Sequence, residues 1–137
     1  NSYAALILPF LCQPIGVFLM RQFISGIADA LMEAARVDGA GELRIFFQIV
    51  LPQCGPPLAT LSILTFLSSW NNFLWPLIVL QSNELKTITL AISSLGSSYS
   101  PDFGVIMVAT VLATLPTLLV FFAMQRQFVQ GMLGSVK

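Results

Sequence analysis

The sequence has no histidine, two cysteines, and only six basic and six acidic side chains among its 137 residues. Each scarcity excludes something. With no histidine, and with Cys12 and Cys54 far apart and outside any CxxC pair, no ligand set for a zinc site exists, and both thiols read as small apolar fillers. The net charge is zero and no basic block occurs, so the long-range attraction of a nucleic-acid-binding surface is missing and nucleic acid is a poor partner. No Gly-rich phosphate loop ends in Lys-Ser/Thr, so the sequence offers no P-loop site for a nucleotide. An enzyme working inside a bilayer would need a nucleophile with a base beside it, yet every carboxylate lies between the apolar runs. No cleavable signal is recognisable, and a chain that starts at Asn1 directly on an apolar run is expected to be part of something longer.

What is present is hydrophobic. Such residues fill 56% of positions and charged ones 9%, against roughly 25% charged in soluble domains. Twelve ionisable groups cannot clothe a soluble core of this length, so the bilayer must be part of the solvent. From Phe103 to Met124 the chain carries no charge, and its helix would be about 33 Å long, enough to cross a hydrocarbon core. Its twelve Leu, Ile, Val and Phe residues favour insertion by roughly 4 to 7 kcal/mol before polar and proline terms are subtracted. Leu58–Leu80 is also free of charge, with a polar centre at Ser68, Ser69, Asn71 and Asn72 that calls for a buried face. Tyr3–Met20 is a third span, kinked by Pro9 and Pro14, with Arg21 marking its lower end.

Lys and Arg set the orientation. Residues 21–57 hold Arg21, Arg36 and Arg44, residues 81–102 hold only Lys86, and the segment from 125 holds Arg126 and Lys137. The positive-inside rule places 21–57 and the tail 125–137 in the cytoplasm, and 81–102 and the N-terminus outside.

Residues 21–57 are patterned. Ala30–Val37 reads as a short helix with Asp29 as N-cap, closed by Asp38-Gly39; a second helix runs from about Glu42 to Leu51, stopped by Pro52, and Pro56 and Pro57 mark the return to the membrane. On the first helix Leu31, Ala34 and Ala35 share a shallow apolar face opposite Glu33 and Arg36. Such a face lets another protein approach the backbone closely, whereas a helix lying on the membrane surface would present larger hydrophobes and a Lys/Arg-rich polar side.

Glu33-Ala34-Ala35, Asp38-Gly39-Ala40, Phe46, Ile49, Leu51-Pro52 and Pro56 stand in the order EAAxxDGAxxxxxFxxIxLPxxxP, eleven fixed positions in 24. This resembles the EAA loop of the permease subunits of bacterial ATP-binding-cassette importers. The resemblance implies that the loop forms coupling helices seated in a cleft of an ATP-hydrolysing subunit, a role that falls here to Glu33, Ala34, Ala35, Asp38 and Gly39 within a docking segment 27–52. Ser69-Trp70-Asn71-Asn72-Phe73, Pro76-Leu77 and the ending Gln125-Arg126-Gln127-Phe128-Val129-Gln130-Gly131 are similar to the second permease of maltose-type and glycerol-phosphate-type importers. Two departures stand out: Ala28 where many members have proline, and Asn72 where many carry an acidic residue.

The implied fold is all-α and polytopic: the last three spans of a six-span permease with a cytoplasmic coupling-helix hairpin. The implied partners are an ATPase subunit carrying ATP and magnesium, a second permease, an extracytoplasmic solute-binding protein and the lipid of a bacterial inner membrane. This chain itself would hold no cofactor or metal, and the solute would be a carbohydrate, or alternatively glycerol phosphate or another small solute. A passive anchor would have no use for the EAA pattern.

The solute path is expected near Trp70, Asn71 and Asn72. Polar groups within a span must face protein or water, and Pro76 leaves the Asn72 carbonyl without a helical donor, as Pro116 does for Leu112 and Pro14 for Phe10. Trp70 could stack on a sugar ring; the same groups could equally serve as interhelical hydrogen bonds and hinges. The outer connection, with its apolar patch Ile88–Leu95, is where a binding protein would dock, or an ordinary interfacial loop.

Overall fold

A charge-free run folds as a helix in a bilayer because only a helix satisfies each N–H and C=O within its own segment. The computed structural model describes residues 1–136, without the side chains of Phe128, Gly131, Met132 and residues 134–136; Lys137, counted above in the tail, lies outside the described residues. Among these residues every regular element is helical. The order is α1 (Tyr3–Ile7), a 3-10 turn (Leu8–Phe10), α2 (Pro14–Ser25), α3 (Asp29–Val37), α4 (Glu42–Ile45), a π turn (Phe46–Val50), α5 (Leu51–Gln53), α6 (Gly55–Trp70), α7 (Leu74–Val79), a 3-10 turn (Asn83–Leu85), α8 (Ile88–Gly96) and α9 (Phe103–Val136). Tyr3–Ser25 and Phe103–Gln127 are each long and apolar enough to cross a membrane, and a third stretch qualifies only if Glu42–Gln53 and Gly55–Trp70, bent by 71°, count as one. The protein is all-α with membrane-crossing helices.

Prolines decide where the helices break. Pro14 opens α2, after an extended Gln13, so its missing N–H falls where no helical partner is needed. The first stretch therefore keeps the interruption expected at its prolines within one apolar span, and α2 runs past Arg21, the expected lower end, to Ser25. Leu58–Leu80 is likewise divided. With α6 ending at Trp70 and α7 starting at Leu74, Pro76 falls in the first turn of a new helix instead of clashing in the interior of an old one. α6, with 16 residues, is only about 24 Å long, short of a bilayer core by itself.

α9 begins with a side-chain cap: Asp102 Oδ1 accepts from the N–H groups of Gly104 at 3.0 Å and Val105 at 3.3 Å. It holds Pro116 and continues through Gln125 and Arg126, so the expected tail prolongs the helix.

The chain divides into two compact units, one of Asn1–Cys12 with Leu64–Ala123 and one of Gln13–Ile63 with the chain from Met124. The second unit has an apolar cluster of buried Ile27, Ile45, Val50 and Cys54, against which pack Met20, Phe23 and Ile24 of α2 and Met32 and Ala35 of α3. Cys54 is 1% exposed, the small apolar filler its surroundings require. At Gly16 an added Cβ would lie 3.3 Å from Leu61 Cδ1, so the missing side chain lets α2 come close to α6. In the first unit Leu80, Leu90 and Pro76 are buried, and the Trp75 indole N–H donates to the Ala5 carbonyl at 3.1 Å, tying α7 to α1.

Candidate functional site

The EAA residues lie on the hairpin formed by α3 and the helical run Glu42–Gln53. Asp29 is not the N-cap: it is the first helical residue, and Ala28 holds the cap position with no side chain to accept a bond. Asp29 still suits the helix start, because a carboxylate in the first turn opposes the positive end of the helix dipole.

The other end closes as the sequence predicts. Ala40 N–H donates to the Ala35 carbonyl and Gly39 N–H to that of Arg36, both at 3.0 Å, with Gly39 at φ +85°. This 6→1 and 5→2 pair is a Schellman closure, and its left-handed residue is the one place in the described chain where glycine's freedom is required. Asp38 is the C-cap, its N–H donating to the Ala34 carbonyl at 3.0 Å.

The expected apolar face is split. Ala35 turns inward with Met32 onto the core cluster, while Ala34, Leu31 and Glu33 stay exposed. Val37 is 87% exposed, and Leu43 and Phe47 add further apolar surface from the second arm. Thus Glu33, Ala34, Asp38 and Gly39 lie at the surface, and Ala35 anchors them from beneath.

Arg36 joins the two arms. Its Nε donates to Glu42 Oε1 at 2.7 Å and its second guanidinium nitrogen to Oε2 at 3.1 Å. The hydrogen bond and the charge of Arg36 hold the Glu42 carboxyl below its ordinary range, and Glu42 in turn raises the Arg36 guanidinium.

Pro52 does not stop the second arm. The helix widens into a π turn over Phe46–Val50, with Leu51 N–H reaching the Phe46 carbonyl, and runs on to Gln53 before turning at Cys54. The widened turn shifts the hydrogen-bond ladder just ahead of the proline, which lets the helix absorb a residue that cannot donate.

The first unit contains Trp70, Asn71 and Asn72. Trp70 ends α6, and Asn71–Phe73 form the interruption before α7. The Asn72 carbonyl, which Pro76 could not serve in a continuous helix, lies in the interruption and accepts the Thr89 hydroxyl at 3.2 Å. The Trp70 indole N–H donates at 3.0 Å to the carbonyl of Ala113, the neighbour of the Leu112 carbonyl that Pro116 leaves without its helical partner. Its ring stacks on Phe66, centroids 5.5 Å apart and planes 20° apart. Trp70 is thus held on its edge and one face, and the Asn71 amide is tied back to the Leu67 carbonyl at 2.9 Å.

Two cavities flank Trp70. One, of ≈ 310 Å³, is bordered by Trp70, Asn71, Thr89, Thr110, Thr114 and Thr117. The other, of ≈ 320 Å³, is bordered by Phe10, Phe66, Trp70, Asn72, Pro76 and Thr87. Among the described residues, neither has a charged side chain in its lining. Hydroxyls and amides beside aromatic faces can hold an uncharged polar molecule and offer nothing to neutralise an anion.

Sequence reasoning did not foresee Thr89 or the threonines of α9. The patch Ile88–Leu95 lies in α8, and its apolar residues Ile88, Ala91, Ile92 and Leu95 have the i, i+3, i+4, i+7 spacing of a helix face. That spacing was available in the sequence. The partnership of Thr89 with a carbonyl 17 residues earlier was not.

The model of the binding-protein-dependent transport system inner membrane component family matches residues 1–134. Over its full length the chain is 55% identical to the lactose transport system permease protein of Rhizobium radiobacter, covering 50% of that protein. It is 42% identical to the arabinooligosaccharides transport system permease protein of Bacillus subtilis, covering 49% of it. It is also 42% identical to the sn-glycerol-3-phosphate transport system permease protein of Pectobacterium atrosepticum, covering 50% of it. The chain therefore spans about half the length of the curated relatives it matches. No solved structure matches it. With a family match over nearly its whole length and three membrane permeases among its relatives, the chain belongs to the binding-protein-dependent transport system inner membrane components.

Proposed function

We propose that this chain is the C-terminal, three-span part of a permease subunit in an ATP-binding-cassette importer of a carbohydrate. The observation that carries the reading is the EAA hairpin: a rigid closure at Gly39 and an apolar anchor through Ala35 hold Glu33, Ala34 and Asp38 on an exposed surface. A hairpin rooted in the same cluster as the end of α2 can pass on a push as a rigid body. The segment 27–52 docks on an ATPase subunit that holds ATP and magnesium, and this chain adds no cofactor and no chemistry of its own.

The multi-pass subunit sits in a bacterial inner membrane with the hairpin and the end of α9 in the cytoplasm and residues 81–102 outside, beside a second permease and a solute-binding protein. The middle crossing starts at Gly55 rather than Glu42, because the exposed Arg36–Glu42 pair and Arg44 make burial of the second arm in lipid costly. It passes through the break at Asn71–Phe73 and ends near Leu80. The solute passes near Trp70, Asn71 and Asn72, and the uncharged linings of both cavities favour a carbohydrate over a phosphate ester.

With the intact permease and its partners co-expressed, Ala34→Cys should crosslink to a cysteine in the ATPase subunit. Absence of both crosslink and co-purification would remove the coupling role. Thermal-shift screening of the cognate binding protein should find stabilisation by sugars; stabilisation by glycerol phosphate alone would support the second reading, which one relative's name makes concrete.

A further inference from the structure

We propose that Thr89 is a positioning residue for the solute path, and that its hydroxyl makes the outer helix α8 part of the device that holds the break at Asn71–Phe73 in shape. The proposal rests on the importer reading above.

Pro76 removes the donor that the Asn72 carbonyl would have in a continuous helix. A carbonyl left unpaired within a membrane-crossing segment is costly, so the break is stable only with a replacement donor. Thr89 Oγ1 supplies it at 3.2 Å, from 17 residues further along the chain. Thr89 itself is fixed: the adjacent Leu90 is 4% exposed, and Thr87 Oγ1 lies 3.3 Å from its hydroxyl.

The placement matters for both cavities. Thr89 borders the one reached by Asn71, and Thr87 the one reached by Asn72. The Asn72 side chain has no hydrogen-bond partner among the described residues, so its direction follows from the backbone that Thr89 holds. Displacement of α8 therefore acts on the Asn72 backbone through this hydrogen bond, and on Asn71 through the adjoining peptide.

The test compares Thr89→Val, Thr89→Ala and Thr89→Ser in the intact permease complex reconstituted in vesicles. Two readouts are taken: carbohydrate uptake, and the rate at which Asn71→Cys, in a background without other reactive thiols, is labelled by a membrane-impermeant maleimide. The Ala34→Cys crosslink to the ATPase subunit verifies assembly of each variant, and Thr89→Ala is a second hydroxyl-free form should Thr89→Val not assemble.

Loss of the hydroxyl should lower uptake roughly three- to ten-fold, the effect of one membrane hydrogen bond whose acceptor is left unpaired. Labelling at Asn71→Cys should shift with it, and Thr89→Ser should restore both. Uptake equal to the parent in the hydroxyl-free forms, or a loss that Thr89→Ser shares, overturns the proposal. If the unsubstituted complex takes up no carbohydrate, the importer reading fails by itself and labelling decides: a shift that serine reverses sustains the positioning role, and an unchanged rate ends it.

Discussion

The EAA hairpin and the break at Asn71–Phe73 are both interruptions between helices, yet opposite forces hold them. The hairpin rests on a dry cluster of Ile27, Ile45, Val50 and Cys54, and its turn is fixed by a glycine at φ +85°. The break, with Pro76 and Leu90 buried nearby, has at its own residues single polar bonds, from Thr89 to the Asn72 carbonyl and from Trp70 to the Ala113 carbonyl, and cavities beside them. An apolar cluster gives way only as a whole, since interiors are close-packed. A lone hydrogen bond can be exchanged for a similar one at little cost. In the function proposed above, the hairpin transmits a force and the break changes shape under it.

If that contrast is right, damage to the hairpin core should have the largest effect. Ile45→Ala removes a buried side chain that is 3% exposed and should destabilise the hairpin by roughly 2–4 kcal/mol. A lower thermal midpoint of the purified complex, together with loss of the Ala34→Cys crosslink, would register it; an unchanged crosslink would mean the cluster does not support docking. Gly39→Val comes next, at about 1–2 kcal/mol for forcing a branched residue into the left-handed region, read by the same crosslink.

Trp70→Phe keeps a ring to stack on Phe66 but loses the bond to the Ala113 carbonyl. It should cost about 0.6–1.7 kcal/mol, showing as reduced uptake while the crosslink to the ATPase subunit stays intact. A fall in both would blur the division between lever and path.

The smallest effect is expected from the exposed Arg36–Glu42 pair. The Glu42 carboxyl is lowered by its hydrogen bond from Arg36, so the stability it contributes is present above the unfolded carboxylate range and is lost as pH falls through the lowered value. Arg36, raised by the same contact, stays charged throughout. Crosslinking measured from neutral pH downward should weaken slightly in that window, Glu42→Gln should flatten the dependence, and salt should diminish it.

Much of this was readable in advance because it is local. A charge-free run reads as a membrane helix, Asp38-Gly39 reads as a helix end, and eleven residues in fixed order carry the family likeness. What could not be read depends on partners distant in sequence. The helix face of Ala34 and Ala35 divides because only Ala35 meets the cluster built from α2 and the second arm. Pro52 fails to end its helix because the preceding π turn absorbs it. Trp70, which the sequence offers as a stacking surface for a sugar or as an interhelical hydrogen-bonding group, has one face on Phe66 and its N–H on the Ala113 carbonyl.

The sequence by itself determined that the chain is helical, that it lives in a membrane, and that Pro76 must deprive the Asn72 carbonyl of its donor, since these follow from composition and from the missing N–H of proline. Only the tertiary structure decided which group replaces that donor. Thr89 does so because α8 packs with Leu90 buried and brings the hydroxyl within 3.2 Å, a proximity set by packing that no local pattern of residues encodes.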